Sequence, residues 1–196
     1  MVLASPPSET DSQPKVRTRA VEPSDAAIVH QLYRATPGYF EIISIPVPSL
    51  EEVRTDLATT VDDPRRHVEL VLIGPGSYAA ERVAAGVPEA LIDPGSGLEV
   101  AGYLDYKLDY PESGDATVNL LLVVPWLQSR GIGAACERDL EQRLQGRAGR
   151  LLASIYGNNP RARSFWERLG YSFAIDAKPI LDWYAKKLQA PAASGD

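Results

Sequence analysis

The residues with the clearest chemical meaning form a glycine-bearing turn, Gln128 to Ala134, which reads Gln-Ser-Arg-Gly-Ile-Gly-Ala. It follows an apolar predicted strand and opens a predicted helix, where unpaired backbone N–H groups and the helix dipole form a site for phosphate oxygens. Glycine allows the backbone to approach an anion closely, and Arg130 adds a positive charge. Taken alone, the turn predicts either a phosphate site or a tight strand-to-helix connection that binds nothing.

Cys136, five residues after Gly131, excludes one familiar phosphate loop and raises a separate question. It stands where a dinucleotide-binding fingerprint has its third glycine, and no Gly-Lys-Ser/Thr of a nucleotide P-loop follows the turn. Cys136 also shares an apolar helical stripe with Ile132, Leu140 and Leu144. We therefore interpret it as a buried core thiol rather than a nucleophile.

A second segment, Tyr156 to Tyr171, predicts a capped helix. Asn159 is a preferred N-cap residue, and Pro160 follows at the first helical position. Gly170 is placed to end the helix.

Together the two segments resemble the GNAT superfamily of acyl-coenzyme A-dependent N-acyltransferases. The first matches the family's Arg/Gln-x-x-Gly-x-Gly/Ala pyrophosphate loop at Gln128, Gly131 and Gly133. The second matches its Asn-x-x-Ala-x-x-Phe-Tyr-x-x-x-Gly-Phe helix at Asn159, Ala162, Phe165, Gly170 and Tyr171. The close match covers about residues 116 to 173.

The resemblance implies a role for particular residues. The turn would bind the pyrophosphate of coenzyme A through Gln128, Ser129, Arg130, Gly131, Ile132, Gly133 and Ala134. Leu121 and Val123 would pair with the pantetheine arm, and the Leu121 N–H would hold the oxyanion of the reacting thioester. Asn159, Phe165 and Trp166 would line the cofactor near its thiol, although Asn159 also has a plain interpretation as a helix cap.

The chain departs from the family at its acid and base. Trp166 replaces a frequent tyrosine, and indole cannot donate a proton at ordinary pH. Thr117 aligns with a frequent strand glutamate, and the nearby Asn119 is polar without being a base. The acid–base roles are therefore unassigned. The candidates by region are Asp105, Tyr39, Tyr103 and Tyr106, each weighed against a surface or packing role.

The resemblance also implies an acceptor pocket at the predicted turn Pro37 to Phe40, where Tyr39 and Phe40 would touch substrate. The alternative is an exposed loop anchored by two rings. Residues 22–115 carry six basic and seventeen acidic side chains, whereas residues 130–168 carry eight arginines and four acids. The excess of acids in residues 22–115 would attract a cationic amine, and the excess of arginines in residues 130–168 would attract a polyanionic cofactor. The alternative is that the acids form a solvated surface that aids solubility.

The elements around these motifs predict a mixed α/β (α+β) fold. Strands are expected at 16–21, 67–73, 98–108, 116–124, 151–156, 171–175 and 180–188. Helices are expected after Asp25, after Ser49 with Glu52 completing a capping box, and from Gly131. The strand 116–124 is apolar on both faces, which predicts a central strand covered on both sides. Residues 74–97 are interpreted as an insertion, with helix or loop at 79–85.

Composition limits the remaining choices. With 196 residues and 44% apolar content the chain suits one domain, expected at 16–189 between tails at 1–15 and 190–196. The net charge of −6 disfavours nucleic acid, and one cysteine with two histidines disfavours a metal site. No apolar run approaches membrane length, and no signal-peptide pattern opens the chain. We expect a soluble, cytoplasmic protein.

The resemblance implies a GNAT fold, with a mostly antiparallel, twisted and splayed central sheet and helices on both faces. It implies transfer of an acetyl group from acetyl-coenzyme A to a primary amine of a small, cationic acceptor, by direct attack in a ternary complex. A non-catalytic acyl-coenzyme A-binding or sensor domain is the alternative, because both usual acid–base residues are missing. We expect no metal, no nucleic acid and no membrane partner, and a homodimer stays open.

Overall fold

The computed structural model describes residues 14–87, 89–178 and 181–188. The predicted C-terminal tail, most of the N-terminal one, and residue 180 of the last predicted strand lie outside them. Within the described residues the chain forms a seven-stranded sheet in the order β1-β2-β3-β4-β5-β7-β6. Its strands are β1 Arg17–Ala20, β2 Arg66–Ile73, β3 Glu99–Leu108, β4 Asp115–Val123, β5 Arg150–Tyr156, β6 Ser172–Lys178 and β7 Leu181–Lys187. Neighbouring strands are antiparallel except β4 and β5, which are parallel. The predicted mostly antiparallel sheet is confirmed.

Helices cover both faces of this sheet. They are α1 Ala26–Ala35, α2 Pro37–Ile42, α3 Leu50–Asp62, α4 Ala79–Ala84, α5 Ile132–Leu144 and α6 Pro160–Arg168. Arg66 and Glu69 lie three residues apart in β2, so their side chains point to opposite faces. Arg66 pairs with Asp56 of α3, and Glu69 pairs with Arg143 of α5. The helices α3 and α5 therefore lie on opposite faces, as predicted.

Local signals in the sequence account for several helix ends. Ser49 Oγ accepts from the Glu52 N–H at 3.3 Å, and the Glu52 carboxylate accepts from the Ser49 N–H at 2.7 Å. This confirms the predicted capping box of α3. The stripe predicted on α5 is also confirmed, since Ile132, Cys136 and Leu140 are at most 1% exposed.

One prediction of loop structure needs correction, and the alternative left open at 79–85 is resolved in favour of a helix. The predicted turn from Pro37 to Phe40 is a helix, α2, which begins directly after α1 because proline suits the first helical position. The segment 74–97 contains the helix α4, and it is tied to the sheet rather than inserted loosely. Asp93 of this segment accepts hydrogen bonds from the Arg19 guanidinium of β1, and Ile92 forms a β-bridge with Glu99.

The sheet splits between β4 and β5. Parallel pairing joins Asp115–Val118 to Arg150–Ala153, and both strands continue beyond the last pair. This is the splay that the sequence predicted. The prediction that β4 is covered on both faces is wrong for its second half, because Leu120, Leu121 and Val123 are half-buried there and line a groove.

Candidate functional site

A groove enclosing about 810 Å³ opens where β4 and β5 separate. Its floor is the second half of β4 and its ends are the turn Gln128 to Ala134 and the helix α2. The last residues of β5 and one side of α6 complete the lining. The glycine turn and α6 therefore meet at one site, although they are about 30 residues apart in the sequence.

The backbone of β4 presents polar groups to the split. The N–H of Val124, the residue directly after β4, donates to the carbonyl of Ala101 in β3 at 2.9 Å. Because N–H directions alternate along a strand, the N–H groups of Leu121 and Val123 face away from β3, toward the split. The Val123 carbonyl faces the same way and accepts from Gln128 Nε2 at 2.8 Å. The Gln128 side chain thus ties the turn to the strand.

The glycine turn has the backbone geometry of an anion site. Gly131 is the N-cap of α5 with φ of +79°, a conformation that disfavours other residues. The first bond of α5 runs from the Ala135 N–H to the Gly131 carbonyl at 2.8 Å, so the N–H groups of residues 132–134 precede it. Gly133 packs closely against α6, since a Cβ there would lie 3.3 Å from the Phe165 ring and the ring would have to shift.

Arg130 does not point into the groove. Its guanidinium lies 3.1 Å from Glu81 of α4 and stacks over the Tyr78 ring at 5.6 Å. Arg161 and Arg168 of α6 line the groove instead, and Arg161 Nη2 donates to Ser129 Oγ at 3.4 Å. Arg161 is not among the residues predicted from the sequence to bind the cofactor. Its place in the first turn of the helix that follows Asn159 is the signal that would have identified it.

The helix α6 forms one wall of the groove. Asn159 Oδ1 accepts from the Ala162 N–H at 2.9 Å, so the predicted cap is confirmed while Asn159 also lines the groove. Trp166 is 5% exposed, and its ring centroid lies 4.9 Å from those of Phe165 and Tyr171. Trp166 therefore packs mainly into an aromatic cluster.

The helix α2 closes the opposite end of the groove. Tyr39 lines both the groove and a second cavity of about 390 Å³, whereas Phe40 is 4% exposed and lines the second cavity. Leu120 of β4 is also shared by the two cavities. The end of α2 rests on the turn after β5, since a Cβ on Gly157 would lie 2.6 Å from the Ile42 carbonyl oxygen.

A chain of four polar side chains runs from α3 to the split. Asp56 pairs with Arg66 at 2.9 Å, and Arg66 Nη2 donates to Asp105 Oδ2 at 2.7 Å. Asp105 Oδ1 accepts from Asn119 Nδ2 at 3.1 Å. Asn119 occupies a β-bulge, because Leu120 pairs with Asp105 and Val118 with Tyr106. Bulges are common next to active sites, where they redirect a side chain.

The other candidates from the sequence do not converge on the split. Tyr103 is fully buried, and Tyr106 stacks on His67 and donates to Glu69 on the α5 face. Thr117 is fully buried and donates to the Tyr110 carbonyl at 2.6 Å. These three residues have packing roles.

Burial keeps two phenols and a thiol protonated. It raises the pKa of Tyr39 and of Tyr156, both of which line the groove. It also raises the pKa of Cys136 to about 12. Cys136 is fully buried on the inner side of α5, which confirms its interpretation as a core thiol.

Comparison with known proteins shows which family the chain is similar to. The model of the acetyltransferase (GNAT) family matches residues 81–171. An acetyltransferase structure from Thermus thermophilus is 35% identical, with a TM-score of 0.72 over 89% of this chain and 97% of that chain. A comparison with curated proteins gave no match.

Two more distant structures share the fold. One is a Salmonella typhimurium acetyl transferase that modifies the N-terminal serine of a 50S ribosomal subunit protein. It is 15% identical with a TM-score of 0.67, over 91% of this chain and 98% of that one. The other is an aminoglycoside acetyltransferase in complex with coenzyme A, which is 13% identical with a TM-score of 0.65, over 88% and 95% of the two chains.

The fold and the split sheet define an acyltransferase of the GNAT type. The chain belongs to the GNAT acetyltransferase family. Among the described residues, no helix is long and apolar enough to cross a membrane.

Proposed function

We propose that the protein transfers an acetyl group from acetyl-coenzyme A to a primary amine. The observation that carries this proposal is the groove at the split, which joins an anion-binding turn at one end to strand backbone groups in its centre. The groove of about 810 Å³ is large enough for an extended cofactor arm. No metal is part of the proposal.

The cofactor is proposed to lie along the groove from α5 to the split. Its pyrophosphate would accept from the N–H groups of residues 132–134, where the dipole of α5 favours an anion. Arg161 and Arg168 would add charge. The pantetheine amides would pair with the exposed backbone of Leu121 and Val123, as an added strand does.

The reacting carbonyl is proposed to lie at the Leu121 N–H. Attack of the neutral amine on the thioester forms an N–C bond and puts negative charge on the carbonyl oxygen, which that N–H would stabilise. Collapse breaks the C–S bond and gives an amide, a thiolate and one proton released from nitrogen. The amine is held beside the thioester in a ternary complex, so proximity supplies part of the rate enhancement.

The acceptor is proposed to enter from the face that α3 covers. The second cavity adjoins the groove at Tyr39 and Leu120, and it carries the carboxylates of Glu52 and Asp56. Contacts to Ser49 and Arg66 hold these two carboxylates in place. The Asn119 amide donates its N–H to Asp105, so its oxygen is available to accept from the acceptor amine.

We infer that the acceptor is cationic and small. The excess of acids in residues 22–115, with Glu52 at the second cavity, would concentrate cations and repel anions, with a gain of about 10-fold in encounter rate at low salt. One protein with the same fold is named as an aminoglycoside acetyltransferase. Amines that carry an additional carboxylate or phosphate would be poorer acceptors.

Steady-state turnover of acetyl-coenzyme A tests both the proposed transferase activity and the proposed cationic acceptor. A panel of amines of graded charge is assayed at low and at high salt, with coenzyme A affinity measured by calorimetry. Coenzyme A binding without turnover of any amine would favour the non-catalytic acyl-coenzyme A-binding alternative. A preference for anionic amines, or a ranking that salt leaves unchanged, would contradict the cationic acceptor.

A further inference from the structure

Ser154 carries a buried hydroxyl that no group in the described part of the chain satisfies. Its Oγ is inaccessible to solvent and has no hydrogen-bond partner there. Buried hydroxyl groups are normally paired, because an unpaired one loses its bonds to water without replacement. Ser154 lines the groove, so a bound molecule is the partner that the position offers.

The position of Ser154 relates it directly to the split. Ala153 is the last β5 residue paired with β4, opposite Val118, and Ser154 is the next residue. Val118 pairs with Tyr106, whose side chain contacts the Arg143 of α5. Since side chains alternate along a strand, Ser154 points to the opposite face, the one that α3 covers.

Ser154 and Leu121 therefore flank the opening from its two strands. The Leu121 N–H faces the split from β4, and Ser154 lines the groove from β5 with its side chain directed to the α3 face. If the carbonyl oxygen of a thioester lies at the Leu121 N–H, its sulfur would lie toward Ser154. A departing thiolate carries a full negative charge, and a hydrogen-bond donor next to it lowers the barrier to its departure.

We propose that the Ser154 hydroxyl donates a hydrogen bond to the sulfur of the thioester and to the thiolate that leaves. This inference rests on the proposed function. In the step the C–S bond breaks and its electron pair goes to sulfur, while Ser154 keeps its proton. The thiolate takes a proton from solvent, and the proton lost by the amine passes to solvent, so charge and atoms balance.

Tyr156 is the competing donor, because it lies two residues further on the same face and also lines the groove. Burial raises its pKa, so its phenol is protonated at neutral pH. Ser154 is nearer to the last paired residue, and its hydroxyl is the buried, unpartnered one. The two assignments make different predictions for single variants.

The experiment compares acetyl-coenzyme A with its selenoester analogue in single turnovers of the native enzyme, Ser154→Ala, Ser154→Thr and Tyr156→Phe. We expect Ser154→Ala to lower the rate with the thioester roughly 10- to 100-fold, below the loss for a full oxyanion donor. Ser154→Thr keeps a hydroxyl and should restore most of the rate. With the selenoester, whose leaving group needs less help, the loss in Ser154→Ala should shrink to about threefold.

Three results would overturn the assignment of Ser154. They are a Ser154→Ala rate within about threefold of native, an equal loss with both leaving groups, and a loss confined to Tyr156→Phe. Coenzyme A affinity and melting temperature, measured on each variant, identify a loss of binding or folding. A native enzyme that acetylates no amine would instead contradict the proposed function, so the two failures are distinguishable.

Discussion

Asp105 holds the side-chain amide of Asn119, whose Nδ2 donates to its carboxylate at 3.1 Å. The other oxygen of Asp105 accepts two hydrogen bonds from Arg66, at 2.7 and 3.1 Å. Asp105 is 5% exposed, and both of its oxygens accept hydrogen bonds from neighbouring side chains. We therefore expect Asp105 to position Asn119 rather than to act as a general base.

Asn119→Ala should lower kcat/KM for the amine about 10- to 100-fold, because a misplaced amine loses alignment with the thioester. Coenzyme A affinity should stay within about twofold. Asp105→Asn should give a similar loss, and the double variant should cost no more than the larger single one, because Asp105 acts through Asn119. Additive losses in this cycle would show that Asp105 has a separate role.

Gly131→Val should abolish coenzyme A binding, measured by titration calorimetry. Valine disfavours the φ of +79° at this position, and its Cβ would lie 3.4 Å from the Pro14 ring, so the backbone of the turn should shift away from its anion-binding geometry. Gly97→Val is the matched control, because Gly97 has a φ of +70° with open space around it and lies outside the groove. It should show a similar strain, about 1–3 kcal/mol, with normal affinity. Equal loss of affinity in both variants would contradict the assignment of the turn.

Arg161→Ala should weaken coenzyme A binding about tenfold, and the salt dependence of binding should become shallower. Arg130→Ala removes the same charge from within the turn, yet it should change affinity less than threefold because Arg130 pairs with Glu81. The larger loss in Arg130→Ala would show that this side chain leaves Glu81 when the cofactor binds.

Trp166→Phe should keep turnover within about tenfold, because a general acid is typically worth 10²–10⁴ and Trp166 is a packing residue. Its cost in unfolding free energy should lie below the roughly 3–5 kcal/mol of a full truncation to alanine. A thousandfold loss of turnover with an unchanged melting curve would place Trp166 in the chemistry.

Cys136 should be unreactive toward thiol reagents in the folded protein, and Cys136→Ala should keep full activity. Burial raises its pKa from about 9 to about 12, so above pH 9 the unfolded chain loses a proton that the folded one keeps. This thiol should lower stability by about 1.4 kcal/mol per pH unit in this range, and Cys136→Ala should remove that part of the slope. The buried tyrosines, whose pKa values burial also raises, should keep their own contribution. Chemical denaturation at pH 8 and at pH 10 measures the slope. An acetylated enzyme whose label disappears in Cys136→Ala would contradict direct attack.

Features that depend on local chemistry could be predicted from the sequence. The Ser49–Glu52 capping box, the Asn159 cap and the buried stripe of α5 each follow from residues a few positions apart. The two glycine-bearing motifs identified the site because backbone geometry restricts the residue choice there. In contrast, a proline at position 37 is compatible both with the end of one helix and with the first residue of another, so the sequence did not distinguish a turn from α2.

The directions of long side chains could not be predicted. Arg130 is adjacent to the anion site in sequence, but Glu81 and Tyr78 of the distant α4 segment hold it elsewhere. Ser154 was not predicted for a similar reason, and Asn119 was predicted as a candidate but without its contact to Asp105. Their meaning depends on where the β4–β5 pairing stops and on a bulge, both of which are set by tertiary contacts.

The split between β4 and β5 also determines where the sheet opens most readily. In the described residues, four parallel pairs from Asp115 to Val118 form the hydrogen-bonded seam between the half-sheet β1–β4 and the half-sheet β5–β7. A short seam breaks at a lower cost than the long antiparallel ladders on either side, so its amides should exchange with solvent earliest in the sheet. A cofactor arm paired along Leu121 and Val123 would lengthen this seam and couple the two half-sheets into one cooperative unit. Hydrogen exchange at Ala116 to Val118 would then report whether the groove is occupied, although Val118 alone of these three residues lines it.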